Sequence, residues 1–455
     1  MALQSVNPAT GEEIASYDEM ARHEVEGVLE RVHGAFRDWR HVAFAERAAP
    51  MRRAAELLRE RAGTLGELMA REMGKPVASG RAEAEKCAWV CDFYADHAER
   101  FLAAEAVETD ARRSFVSYRP LGVVLAVMPW NFPFWQVFRF AAPGLMAGNA
   151  GVLKHASNVY GCALEIERVF RDAGFPEHLF RVLRLGSARV GEVIEHPRVQ
   201  AVTLTGSTAA GREVAGRAGA ALKKTVLELG GSDPYLVLED ADLELAVETC
   251  VASRLLNSGQ SCIAAKRFVV VDAVYEDFER RFVERMREQT MGDPLDETSD
   301  LGPQAREDLR DDLHQQVKES VERGARCLLG GEVPQRPGAW YPPTVLADVG
   351  PGMPAWDDEL FGPVAALVRV ADEEEAIQKA NDSPFGLGAA VFTRDRERGE
   401  AIAEHRLDAG CCFVNAYVKS DPRLPFGGVK ASGYGRELGT LGIQEFVNAK
   451  TVWVE

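Results

Sequence analysis

The 455-residue chain has no apolar run long enough to cross a bilayer. Its most apolar window, residues 121–130, is about ten residues long where a spanning helix needs about twenty, so it reads as a buried strand. The amino terminus shows no basic stretch followed by an apolar core, and no secretory leader is expected. Eight cysteines, at 87, 91, 162, 250, 262, 327, 411 and 412, lack the even spacing of a disulfide framework. A reduced, cytoplasmic setting is the expectation, with most thiols serving as small core residues. Cys87 and Cys91 sit four apart but have no second ligand pair, so no metal is expected. An excess of positive charge is missing too. Lys and Arg number 53 against 70 Asp and Glu, a net charge of −17, and the bases are interleaved with acids throughout. Such a surface repels phosphate backbones and anionic lipid, so neither nucleic acid nor a membrane is expected as a partner. Internal repeats and low-complexity tracts are absent as well.

What is there is the composition of a globular protein, 46% apolar and 27% charged. The length suits two or three domains of about 150 residues. The first hundred residues read as mostly helical, with Met51, Ala55, Leu58, Ala62, Leu65 and Met69 recurring every three or four positions. From about residue 120, apolar runs at 123–128, 151–153, 201–204, 225–229 and 235–238 predict strands buried on both faces. Helical stretches such as 161–171 and 209–219 lie between them, an alternation that means βαβ units. The pattern restarts after Gly230-Gly231, with a helix capped by Asp242, a strand at 267–271 and a helix carrying Phe278, Phe282 and Met286. The fold class expected is α/β, with two doubly wound domains divided near residue 230. Residues 106–120 and the carboxyl-terminal strands belong to neither core and suit a bridge between subunits. The run 306–323 reads as a solvated helix face.

Cys262 stands apart from the other thiols. It follows Asn257-Ser258-Gly259-Gln260-Ser261, in which Ser258-Gly259 breaks the preceding helix and sets the thiol on a loop. A nucleophilic thiol needs that access, and a lowered or base-assisted pKa. Glu228, in Leu227-Glu228-Leu229-Gly230-Gly231, ends an apolar strand beside two glycines that admit a close neighbour. Apolar surroundings raise a carboxyl pKa, which suits a base that activates water near neutrality. In Pro129-Trp130-Asn131-Phe132-Pro133 the flanking prolines make the Asn131 amide a fixed donor for a developing oxyanion. Thr205-Gly206-Ser207 lies between a strand and a helix, where Ser207 suits an N-cap and the free N–H groups can receive a pyrophosphate. Its glycine spacing is not the Gly-x-Gly-x-x-Gly fingerprint.

These motifs, with Lys154 after its strand, Glu359-Leu360-Phe361-Gly362-Pro363 and Pro425-Phe426-Gly427-Gly428, carry a resemblance to the aldehyde dehydrogenase superfamily. It covers nearly the whole chain, from the Asn7-Pro8-Ala9-Thr10-Gly11 opening to the terminal strands, and is strongest with the succinate-semialdehyde dehydrogenase branch. The resemblance implies NAD(P)-dependent oxidation of an aldehyde to a carboxylic acid. Cys262 would form a thiohemiacetal, Asn131 and the Cys262 N–H would hold its oxyanion, and Glu228 would activate the water that hydrolyses the thioester. It also implies a cofactor-binding domain of residues 1–105 and 121–229, a catalytic domain of 230–433, and bridging strands at 106–120 and 434–455 in a homodimer or homotetramer.

Trp130, Lys154, Ser157, Gly206, Ser207, Leu229, Glu359 and Phe361 match the family's cofactor positions. The family often follows the Lys with Pro-x-Glu, whose carboxylate binds the adenosine ribose; here the segment reads Lys154-His155-Ala156-Ser157. The missing carboxylate and the two donors imply NADP⁺ preferred over NAD⁺, both usable. Arg139, eight residues beyond Asn131, and Ser420 stand at positions similar to those that bind a distal carboxylate in the branch, a task suited to the Arg fork. Some branch members add an Arg just before the catalytic loop; Arg254 is nearby, but Leu256 holds the closer position. Succinate semialdehyde is therefore the expected substrate. Another small aldehyde, coenzyme A acylation and a catalytically silent relative are the alternatives. Glu228 weighs against acylation, and the joint presence of Cys262, Glu228 and Asn131 weighs against silence.

Overall fold

The structure, a computed structural model, describes residues 2–455. Strand Val123–Met128 is apolar at every position and lies inside a six-stranded sheet, parallel to Ala150–His155 on one side and Val199–Thr205 on the other. Phe180–Val182 and Lys224–Glu228 extend the sheet outward, and Gly433–Tyr434 adds an antiparallel edge to Lys224–Glu228. The chain runs outward from Val123–Met128 first one way and then the other. The carboxyl ends of Val123–Met128 and Val199–Thr205 therefore flank a reversal of strand order, where α/β sheets open a crevice for ligands. The second sheet has seven strands. In spatial order they are Arg326–Leu329, Thr344–Ala347, Val364–Val370, Arg267–Val271, Pro234–Val237, Gly388–Phe392 and Cys411–Val414, all parallel except the first. A three-stranded antiparallel sheet stands apart, with Arg113–Pro120 between Val447–Val454 and Glu105–Ala106. This is the α/β architecture expected from the sequence.

The periodic stripe from Met51 to Met69 lies in helices Phe44–Glu60 and Ala62–Met73, and all six residues are buried. The first hundred residues are mostly helical, as expected, apart from their start. Residues 2–18 form a hairpin, Ala2–Val6 against Glu13–Asp18, because Gly11 at φ 79° turns the chain where a helix would have to continue. Helix Glu307–Glu322 presents a solvated face, while Leu313 and Val317 on its other side pack into the core of the second sheet.

Two buried carboxylates join the helical segment to the first sheet. Glu72 accepts from the backbone N–H groups of Gly161 and Cys162, and Glu83 from those of Phe134 and Trp135, each at 2.9 Å. Each satisfies donors that an open helix start leaves orphaned. Among the described residues no helix is long and apolar enough to cross a membrane, and no cluster of three His, Cys, Asp or Glu could hold a metal.

Candidate active site

Helix Leu243–Arg254 starts at Asp242, whose side chain accepts from Glu244 and Leu245 N–H, and it is followed by a sharp turn. Asn257, Ser258 and Gly259 take successive positive φ values of 55°, 56° and 77°. For the two non-glycines this costs about 1–2 kcal/mol each, so the conformation needs outside support. Asn257 Nδ2 donates to Asn131 O at 2.7 Å, and Ser258 Oγ accepts from Gly302 N–H at 3.0 Å. A Cβ on Gly259 would lie 2.2 Å from Gly362 O. The turn delivers Cys262 to a cavity wall, half-buried and free of any disulfide. Burial pushes its thiol up to about 12; Arg139 and Lys266 pull the other way. Lys266 Nζ donates to Ser261 O and Cys262 O at 2.8 and 2.7 Å, tying the loop down from below. Arg254 is fully buried and donates to Gly259 O at 2.7 Å, so it supports the turn and does not face the cavity.

Glu228 ends its strand with both carboxyl oxygens buried and without hydrogen-bond partners. Burial raises its pKa well above the usual carboxylate range, opposed first by Arg139. The glycines after it serve close approach. A Cβ at Gly230 would lie 2.5 Å from Glu359 Oε2, and one at Gly231 would lie 2.8 Å from Cys262 O. Gly231 N–H donates to Glu359 Oε1 at 3.0 Å, and Lys266 Nζ lies 3.4 Å from the same oxygen. Thus the Glu228 strand, Glu359 and the Cys262 loop meet at one point. Asn131 is buried and spends one of its two amide N–H bonds on Gln260 O at 3.1 Å, leaving the other to donate elsewhere. Its loop is fastened by His155, whose Nδ1 accepts from Ala156 N–H and whose Nε2 therefore donates to Pro133 O, both at 2.9 Å. Burial lowers the pKa of that imidazole to about 4, which keeps the neutral tautomer this pairing requires.

The expected cofactor residues gather at the crevice of the first sheet. Trp130 and Phe361 meet edge to face at 5.7 Å. Ser207 caps helix Thr208–Ala220, Gly206 N–H donates to Glu228 O, and Leu229 fills the space where a Cβ on Gly211 would clash. Lys154 is half-buried at the end of its strand and Ser157 is exposed just beyond. Burial is the one cause that lowers the Lys154 pKa, with no carboxylate set against it. Such a cation fits an arriving phosphate.

Arg139 and Ser420 line the same cavity as Cys262, about 490 Å³ in volume. Ser420 Oγ accepts from Trp135 Nε1 at 3.1 Å and from Lys86 Nζ at 2.9 Å. Arg139 has its charge matched already: its guanidinium pairs with buried Glu437, donates to Thr205 Oγ1 at 3.3 Å and lies over the Phe426 ring. Sequence reasoning did not single out Lys86, Glu83, His155, Lys266 or Glu437. Asn257 lay inside a quoted motif, read only as part of the helix stop.

A model described as the aldehyde dehydrogenase family matches residues 1–452. The chain is 51% identical over 454 residues to a protein of Synechocystis sp. named probable succinate-semialdehyde dehydrogenase, NADP(+), covering 100% of both. It is 49% identical over 449 residues to one of Escherichia coli named succinate semialdehyde dehydrogenase, NAD(P)+, Sad, covering 99% of this chain and 97% of that one. The crystal structure of succinic semialdehyde dehydrogenase from Streptococcus pyogenes in complex with NADP+ superposes with a TM-score of 0.97 at 38% identity, covering 100% of both chains.

Proposed function

Because the chain belongs to the aldehyde dehydrogenase family, we propose that it oxidises succinate semialdehyde to succinate, with NADP⁺ preferred over NAD⁺. What carries the substrate assignment is one cavity that holds Cys262 together with Ser420, Arg139 and aromatic walls, in a chain whose relatives bear that name over their full length. Cys262 gives its thiol proton to solvent, its Sγ adds to the aldehyde carbon, and the C=O electron pair moves to oxygen. The free N–H of Asn131 Nδ2 and the backbone N–H of Cys262 hold that oxygen. Lys154, Ser157, the Ser207 helix start, Leu229, Glu359 and the Trp130–Phe361 pair would hold NADP⁺, whose nicotinamide would supply the acceptor for the hydride lost from the carbon. Glu228 takes a proton from the water that cleaves the acyl–Sγ bond and frees the thiol. The far end of the substrate lies against Ser420 and Arg139.

The same reading assigns cofactor binding to residues 1–105 and 121–229, and catalysis to 230–433. Residues 106–120 and 434–455 bridge to a second copy in a homodimer or homotetramer working in the cytoplasm. Reduced-nicotinamide absorbance with an aldehyde panel, both cofactors, and coenzyme A present or absent tests the activity. The expected outcome is the highest kcat/KM with succinate semialdehyde and NADP⁺, and free succinate as product whether or not coenzyme A is added. An acyl-coenzyme A product, or a clear NAD⁺ preference, would refute the corresponding part.

A further inference from the structure

One half-buried cation in the cavity has no carboxylate of its own. Lys86 projects from helix Val77–Phe101, with Nζ 4.3 Å over the Trp135 ring and 2.9 Å from Ser420 Oγ. The other cations there are either engaged or in solvent. Arg139 pairs with Glu437, Lys75 with Glu83 and Arg423 with Asp421, while Lys419 is exposed. Holding a lysine half-buried without an ion pair is unfavourable unless something else brings the opposite charge. The hydroxyl beside it is constrained in the same sense. Ser420 Oγ accepts from both Lys86 and Trp135, so its two lone pairs are used and its O–H is left to donate. Two further N–H bonds remain on Lys86. Donors and a positive charge thus converge on a cavity shared with the Cys262 thiol, an arrangement made for an anionic group on a substrate whose other end reacts.

We propose that Lys86 is the direct charge partner of the substrate's distal carboxylate, with the Ser420 O–H as the second donor. This rests on the semialdehyde-acid reading above and adds the residue that discriminates it from uncharged aldehydes. Arg139 lines the same cavity, but its charge is already matched by Glu437. The surroundings make the contact sensitive to pH. Burial and then Arg139 pull Lys86 down to about 8, while Cys87 and Glu83 on its own helix and Asp421 on the facing loop oppose the shift. Lys419 and Arg423 also line that end of the cavity. Lys86 is therefore charged below about pH 8 and loses its hold on a carboxylate above it.

Steady-state kinetics of the full-length enzyme with NADP⁺, using succinate semialdehyde and butanal, test this on wild type, Lys86→Met and Lys86→Arg. In Lys86→Met the ratio of KM for succinate semialdehyde to KM for butanal should rise by about ten- to a hundredfold, the scale of one charge-assisted hydrogen bond. Lys86→Arg should restore most of that ratio. A ratio unchanged in Lys86→Met overturns the assignment. A wild-type enzyme with no preference for succinate semialdehyde over butanal overturns the substrate reading instead, before any variant is compared. Wild-type KM against pH gives a readout that does not depend on a variant folding. KM for succinate semialdehyde should climb above about pH 8 while that for butanal stays flat; parallel profiles overturn the proposal.

Discussion

Burial lifts the Cys262 thiol to about 12 and the Glu228 carboxyl well above the usual carboxylate range. The Cys262 thiol therefore rests protonated near neutrality and must lose its proton to react. Alkylation of Cys262 by iodoacetamide in the cofactor-free enzyme should accordingly speed up about tenfold per pH unit between about pH 7 and 9. A rate that levels off inside this interval would mean a thiol already ionised, and the burial account would fail. At this scale the sequence was informative where a residue's meaning lies in its neighbours along the chain. Glu228 closes an apolar strand before two glycines, and Cys262 follows a helix stop, so both could be read locally. Lys86, Glu83 and His155 could not. Their roles come from partners 334, 51 and 22 positions away, and a lysine or glutamate in an ordinary helical stretch gives no sign of such a contact.

Strands in the two large sheets were visible as apolar runs because both faces of a parallel sheet are covered, so no polar alternation interrupts them. The hairpin at residues 2–18 was hidden for the converse reason: much of it is exposed, and its apolar residues are too few to set a period. Nor does a periodic pattern reveal how elements are fastened to one another. Glu83 does that work for helix Trp135–Met146, accepting from two of its first N–H groups while pairing with buried Lys75, whose ammonium also lies 3.9 Å over the Phe132 ring. Glu83→Ala should lower the unfolding free energy by about 3 kcal/mol or more, because it strands a buried charge and two helix donors together. Urea denaturation followed by far-ultraviolet circular dichroism measures the loss. A cost below about 1 kcal/mol would show that water replaces the carboxylate, and that the helix start is not anchored this way.

Across the whole molecule the net charge of −17 opposes both proposed anionic ligands. Their attraction must come from Lys154 in the crevice and Lys86 in the cavity, two cations the fold leaves without a paired carboxylate. Strand Val447–Val454 stands at the edge of the small sheet with Trp453 and Val454 exposed. An unpaired edge with apolar residues is a template for another strand. Light scattering after size exclusion should give a multiple of the 49.8 kDa chain mass, and Trp453→Lys with Val454→Lys should shift the enzyme toward that single mass. A wild-type monomer would remove the bridging role. The turn at Asn257–Gly259 has a wider consequence. Its left-handed residues are supported by Asn131 in one sheet region and by Gly302 and Gly362, distant in sequence on the other side. A chain in which those distant segments have not met has nothing to offset the strain of that turn, so the Cys262 loop takes its shape only once they have come together. Turnover thus doubles as a proofreading signal: only a chain that has finished folding can announce itself by catalysis.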